Sequence, residues 1–183
     1  LVFAVLFYVN STLAQDKNNQ WQVTFGNNAV DFHPVGTDTE DNPTGHLFSE
    51  YFNIQKNWNT QTAINSFSIS RFGNESFSYG LRGTLNRVTR LGDERARIPG
   101  KRIASIDAVV TYNLPDFMSF CKLEPFLEGG TGYTWFGNQR STTMNGGFGV
   151  NYPVSEKVSI KLNSAYKHAF NDMQDLKAHF QHN

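Results

Sequence analysis

The stretch SFSYGLRGTLNRV, residues 76–88, decides the fold. Phe77, Tyr79, Leu81, Gly83 and Leu85 fall on one side of an extended chain; Ser76, Ser78, Gly80, Arg82, Thr84 and Asn86 fall on the other. Successive strand side chains point to opposite faces, so these residues predict a strand with one apolar and one polar face. A half-buried strand of a water-soluble protein has the same alternation, and one copy decides nothing. The pattern recurs. Ala104, Ile106, Ala108, Val110, Tyr112 and Leu114 alternate with Ser105, Asp107, Val109, Thr111 and Asn113. Such lengths suit a tilted strand crossing a bilayer, which takes about 9–11 residues.

Working outward, residues 21–32 predict a strand whose apolar parity switches beside Gly26-Asn27-Asn28, from Trp21, Val23 and Phe25 to Val30 and Phe32. A parity switch at glycine is the mark of a β-bulge. Further strands are predicted at about 61–72, 124–135, 144–152 and 158–167, and residues 179–182 open an eighth. Regular pairing of the fifth is expected to begin after Pro125, which has no N–H to donate. The predicted fold is all-β: an eight-stranded antiparallel up-and-down transmembrane β-barrel, its last strand truncated. The predicted connections are long at 33–60, tight at 73–75, long at 89–102, shorter at 115–122, short at 137–141, tight at 153–157 and longer at 169–177. Outer-membrane barrels have short periplasmic turns and longer outer loops, a rule that only the 137–141 connection breaks. Tyr112, Tyr133, Trp135, Tyr152 and Tyr166 sit near strand ends on the apolar face, as an interfacial aromatic girdle requires. Leu47, Phe48, Tyr51, Phe52 and Ile54 are expected to form a short amphipathic turn over the barrel mouth.

The chain has 183 residues, with 16 Lys and Arg against 16 Asp and Glu, so there is no electrostatic case for a nucleic-acid partner. Leu1 to Val9 is an unbroken apolar run, and Thr12 and Ala14 stand at the −3 and −1 positions of a secretory cleavage site. Residues 1–14 are therefore expected to be a partial signal peptide, and 15–183 one outer-membrane barrel incomplete at its C-terminus. A short buried strand or helix is the alternative for 1–9. Nothing later approaches the roughly 20 apolar residues of a membrane helix, so a spanning chain must cross as a closed sheet. Cys121, the single cysteine, has no internal partner and reads as a small apolar residue in a turn.

If the apolar faces meet lipid, Arg82, Asp107, Glu124, Glu128, Lys161 and Lys167 point inward. An eight-stranded interior is filled by side chains, and ionised groups survive there only when paired. A salt-bridge network is expected, with Arg82 close to Asp107 and a cation between Asp107 and Glu128. Catalytic, cofactor and metal sites are not expected. Glu124 and Glu128 lie at i, i+4 with no implied cleft, Gly130-x-Gly132 is too short for a phosphate loop, and no triad is fixed around His168. His179 and His182 have opposite parity, and Asp38, Glu40 and Asp41 lack ligand spacing. Arg87, on the lipid-facing parity, is placed either to meet lipopolysaccharide phosphates or simply to snorkel.

Several stretches resemble the N-terminal barrel of OmpA-family outer membrane proteins, especially the Bacteroidetes and flavobacterial branch: WQVTFGNNAVDFHP (21–34), FNIQKNWN (52–59), EPFLEGGTGYTWFGN (124–138), TMNGGFGVNY (143–152) and AYKHAFND with HFQHN (165–183). The resemblance implies a bacterial outer-membrane location and a non-enzymatic anchor or low-conductance porin. Lipid and lipopolysaccharide are the implied partners, and no cofactor or catalytic residue is implied. In a full-length protein it also implies a separate peptidoglycan-binding domain. The alternatives are an outer-membrane adhesin or lipid-modifying enzyme, and a secreted soluble β-sandwich or lipocalin-like ligand binder.

Overall fold

A computed structural model describes residues 20–32, 51–90, 97–114, 123–155, 158–171 and 178–183. The leader at 1–14, Cys121, the acidic group at Asp38, Glu40 and Asp41, and Leu47 and Phe48 lie outside the described residues. The chain is all-β. In order it forms β1 (Trp21–Gly26), β2 (Ala29–Asp31), the short helix α1 (Ile54–Asn57), β3 (Asn59–Thr60), β4 (Ser66–Phe72), β5 (Phe77–Arg90), β6 (Arg97–Asn113), β7 (Glu124–Phe136), β8 (Gln139–Ser155), β9 (Val158–Ala169) and β10 (Ala178–His182). These make one antiparallel sheet of ten strands in the order β1-β4-β5-β6-β7-β8-β9-β10-β2-β3.

Ten strands stand where eight were expected because the first predicted strand breaks once and because Asn59–Thr60, expected to lie in the long 33–60 connection, form the extra strand β3. The first breaks at Asn27 and Asn28 into β1 and β2, which pair at different places in the series: β1 with β4, β2 with β10 and β3. The second does not begin at residue 61. Residues 61–65, including Ala63, leave the ladder between β3 and β4. These two interruptions meet. The Asn28 amide donates to Asn65 Oδ1 at 2.5 Å, and Asn65 Nδ2 donates back to the Asn28 carbonyl at 3.0 Å. Side-chain amides thus replace ladder bonds where the backbone cannot supply them.

Three other boundaries shift. The expected 89–102 loop is strand up to Arg90 and again from Arg97, and the 137–141 loop contracts to Gly137 and Asn138. Gly137 has φ of 58°, a left-handed conformation that glycine adopts without steric cost in a two-residue hairpin turn. Strand β7 includes Pro125, whose carbonyl accepts the Leu114 amide at 2.9 Å. The long-and-short alternation of connections is consequently weaker than the hydropathy pattern suggested. At the other end Asn74 Oδ1 accepts the amides of Ser76 and Phe77, both at 2.9 Å, and so folds the β4–β5 turn.

The faces separate as the alternation requires. Trp21, Phe25, Tyr79, Leu81, Leu85, Ile106, Leu127, Met144, Phe148, Ile160 and Leu162 are exposed on the apolar face. Among the described residues no second sheet covers it. The opposite face turns upon itself: Gln181 Nε2 on β10 donates to Thr84 Oγ1 on β5 at 2.9 Å, and Gln22 Nε2 on β1 reaches Ser159 Oγ on β9 at 3.3 Å. At one end of this inner face Val30, Phe32, Val88, Ile103, Phe136 and Ala169 form a small buried cluster. The segment 51–58 does not cap the mouth as expected. It packs on the apolar-face side of β10, where Tyr51 meets Phe180 edge-on at 5.2 Å and Trp58 stacks on His182 at 4.0 Å.

Candidate functional site

The inner face is layered, and its middle layer is ionic. Arg82 on β5 and Asp107 on β6 are ladder partners, as hairpin pairing predicts. Yet Arg82 donates to Glu128 on β7, Nη1 to Oε1 at 2.8 Å and Nη2 to Oε2 at 2.7 Å. Such a two-pronged guanidinium–carboxylate pair fixes both planes. The Glu128 side chain is 0% exposed and that of Arg82 is 11% exposed. Asn163 Nδ2 on β9 donates to Glu128 Oε1 at 2.7 Å, adding a second donor to the carboxylate.

Asp107 is held instead by Lys167 of β9, whose Nζ lies 2.8 Å from Oδ1 and 2.9 Å from Oδ2. Ser105 Oγ adds a bond to Oδ2 at 3.0 Å, and Asn145 Nδ2 approaches Oδ1 at 3.4 Å. Two cations thus face two carboxylates, so the burial is of neutral pairs rather than isolated charges. Glycine makes the room. A Cβ on Gly132 would overlap Asp107 Oδ1 and sit 2.5 Å from the Ile106 carbonyl, so a larger residue there would push out the carboxylate.

Of the remaining residues expected in the network, Lys161 acts on Glu128 and Arg82 through its charge, without a direct hydrogen bond to either, and Glu124 does not join it. Lys161 lies with Nζ 4.3 Å from the Phe126 ring centre, a cation–π contact. Glu124 is exposed at the strand end, where Asn151 Nδ2 donates to it at 2.6 Å. Comparison with protein-family models, curated proteins and solved structures gave no match.

Of the five aromatic residues singled out near strand ends, Trp135 and Tyr152 are exposed on the apolar face. Tyr133 packs against Trp135 at 4.8 Å, and Tyr112 against Phe77 at 5.0 Å. Tyr166 is different: it lies half-buried beside Phe180, Ala178 and Tyr51. Trp21, outside the expected set, is exposed beside Arg71 at the same end of the sheet as Phe77 and Tyr112.

Sequence reasoning missed a set of asparagines. Asn28 Nδ2 donates to the His182 carbonyl at 3.2 Å and to Asn183 Oδ1 at 3.0 Å, while Asn86 Nδ2 donates to the carbonyls of Asn28 at 2.8 Å and Asn59 at 2.9 Å. Asn59 Oδ1 accepts the amides of Thr89 and Arg90, at 2.8 and 3.0 Å. The only sequence signal was Asn27-Asn28 at the parity switch. Among the described residues, no three His, Cys, Asp or Glu side chains gather as metal ligands.

Proposed function

We propose that the chain is a closed membrane-spanning barrel, a non-enzymatic anchor in a bacterial outer membrane, with its ionic layer filling the interior so that any solute passage is slight. One observation carries the reading: away from the patch on β9 and β10 that residues 51–58 cover, the apolar side chains of a single sheet stay exposed among the described residues, from Trp21 and Phe25 on β1 to Ile160 and Leu162 on β9. Contiguous apolar patches beyond a few hundred Å² are rare on monomeric soluble proteins. A soluble sandwich would bury these residues between sheets. Strands β5 to β9 run 12 to 17 residues, longer than a tilted crossing needs.

The ladder itself is open, since among the described residues β1 and β3 at its two ends do not pair; what supports closure is that β1 and β2, consecutive in the chain, stand near opposite ends of the strand series. In a flat sheet β1 and β9, six steps apart in that series, would lie about 28 Å from one another at the usual strand spacing. Gln22 and Ser159 instead touch.

Two measurements test the proposal together. The full chain should stay with membranes after carbonate washing. In vesicles, Trp21 and Trp135, each as the single tryptophan, should be quenched by lipids brominated near the headgroup. Release by carbonate, with neither tryptophan quenched, would favour the secreted soluble binder.

A further inference from the structure

At the end of the sheet where β5 and β6 approach their connection, Arg87 and Arg102 are direct ladder partners on the apolar-face parity. Like charges placed directly opposite across two strands repel. Both residues are exposed, and among the described residues neither guanidinium has a hydrogen-bond or ion-pair partner. Their basic neighbours on the other parity are engaged: Lys101 lies over the Phe136 ring at 5.9 Å, and Arg90 donates to the Gln55 carbonyl. The Arg87 side chain lies over Gly100, where a Cβ would sit 3.0 Å from Arg87 Cζ. Arg87 also borders a cavity of about 410 Å³ whose lining includes Thr89, Thr60, Gln61 and Gln55, all hydrogen-bonding side chains. The next row inward on the same face is Leu85, Ala104 and Trp135, which are ladder neighbours. The two arginines therefore stand one row beyond an apolar and aromatic row, at the level where lipid headgroups begin.

We propose that Arg87 and Arg102 together hold a phosphate of a phosphorylated glycolipid, an inference that rests on the membrane reading above. A guanidinium pair offers two planar donor forks to one tetrahedral anion, and the anion offsets the repulsion that the ladder imposes. The polar cavity beside Arg87 would receive the sugar hydroxyls next to that phosphate. A lipid is favoured over free phosphate because the site continues an apolar face that acyl chains would cover.

The test measures binding of bisphosphorylated lipid A, its dephosphorylated form and inorganic phosphate to the full chain folded in detergent micelles, by native mass spectrometry. Wild type should retain the phosphorylated lipid. Arg87→Gln/Arg102→Gln should weaken it about fivefold per arginine removed. Arg71→Gln, at the opposite end of the sheet, should leave it unchanged. Arg102→Glu is the folding control: it turns the repulsive pair into an attractive one, so lipid-free thermal stability should rise while binding is lost.

The inference is overturned if the double variant binds like wild type, or if Arg71→Gln loses as much. It is also overturned if the dephosphorylated lipid suffers the same loss, or if millimolar phosphate alone displaces the lipid. Wild-type protein released from membranes by carbonate would sink the proposed function and this site together. Protein that stays in membranes while the variants bind normally would sink only the site.

Discussion

Replacing Arg82 by Met isolates what the ionic layer contributes. Met keeps most of the side-chain volume and removes the charge. Glu128, with its side chain 0% exposed, then retains the Asn163 donor at 2.7 Å and the more distant charge of Lys161. Stranding one charge of a buried pair costs about 3–5 kcal/mol, a large part of the roughly 5–15 kcal/mol that separates folded from unfolded states. Asp107 keeps Lys167 and Ser105, so the ladder and the topology should survive. Glu128→Met alone should cost less, because Arg82 is partly exposed and stands opposite Asp107 in the register. The double variant Arg82→Met/Glu128→Met removes both charges and should recover most of the loss, since apolar replacement of a whole buried pair is often close to neutral. The expected coupling is about 2–3 kcal/mol, read from urea unfolding followed by tryptophan emission, with heat-modified gel mobility as the check on topology. Single variants within about 0.5 kcal/mol of wild type, with additive effects, would refute the idea that the pair is a sealed ionic contact.

Adjacent glycines should behave oppositely. A Cβ on Gly146 meets nothing within 4 Å, so Gly146→Ala should be neutral or stabilising by about 0.4–1 kcal/mol in thermal melts. On Gly147 it would overlap the Ser164 carbonyl oxygen and lie 2.7 Å from Ala165 Cα, so Gly147→Ala should cost about 1–3 kcal/mol. Asn28→Ala removes the side-chain donor to the His182 carbonyl and should lower stability by about 1–3 kcal/mol, checked by the same melts, whereas Asn27→Ala at an exposed position should change little. Cysteines at Gln22 and Ser159, joined by a short bismaleimide, should give an intramolecular crosslink and a gel shift; a sheet that lies flat gives none.

The strands were legible because a period of two survives in the sequence wherever one face is apolar and the other polar. That same period gave the hairpin register, including Arg82 opposite Asp107. It did not give the ion pairing. A long guanidinium arm reaches past its ladder partner, and whether it does depends on which neighbours lack side chains, as Gly130 and Gly132 do on β7. Strand ends were read as loop wherever charge replaced apolar residues. Lys101 and Arg102 remain in the ladder all the same, because pairing is a backbone property. The break in the first strand and the late start of the second were only half visible. Asn27-Asn28 marked the former, but the latter, at 61–65, depends on Asn65, an isolated residue with no periodic signature. The segment around Tyr51 and Trp58 was legible as aromatic but not as to where it docks, since His182 and Phe180 lie more than a hundred residues away in the chain.

The two faces pose one energetic question. In water, a sheet that exposes Leu81, Ile106, Met144, Phe148 and Leu162 while burying Arg82, Glu128, Asp107 and Lys167 works against the hydrophobic effect twice. Exposed apolar area forfeits about 25 cal/mol for each Å² left uncovered, and each desolvated ion costs several kcal/mol before its partner repays it. Surround the same sheet with hydrocarbon and the first loss disappears, because acyl chains do what a second sheet would do. The second loss then becomes the smaller evil. Polar side chains that would otherwise face lipid are turned inward, where a narrow interior forces them to pair. Each pair also ties strands that are not neighbours: β5 to β7 through Arg82, and β6 to β9 through Lys167. In the proposed setting the ionic layer therefore acts as cross-bracing, which is why its loss should appear in stability before it appears in topology.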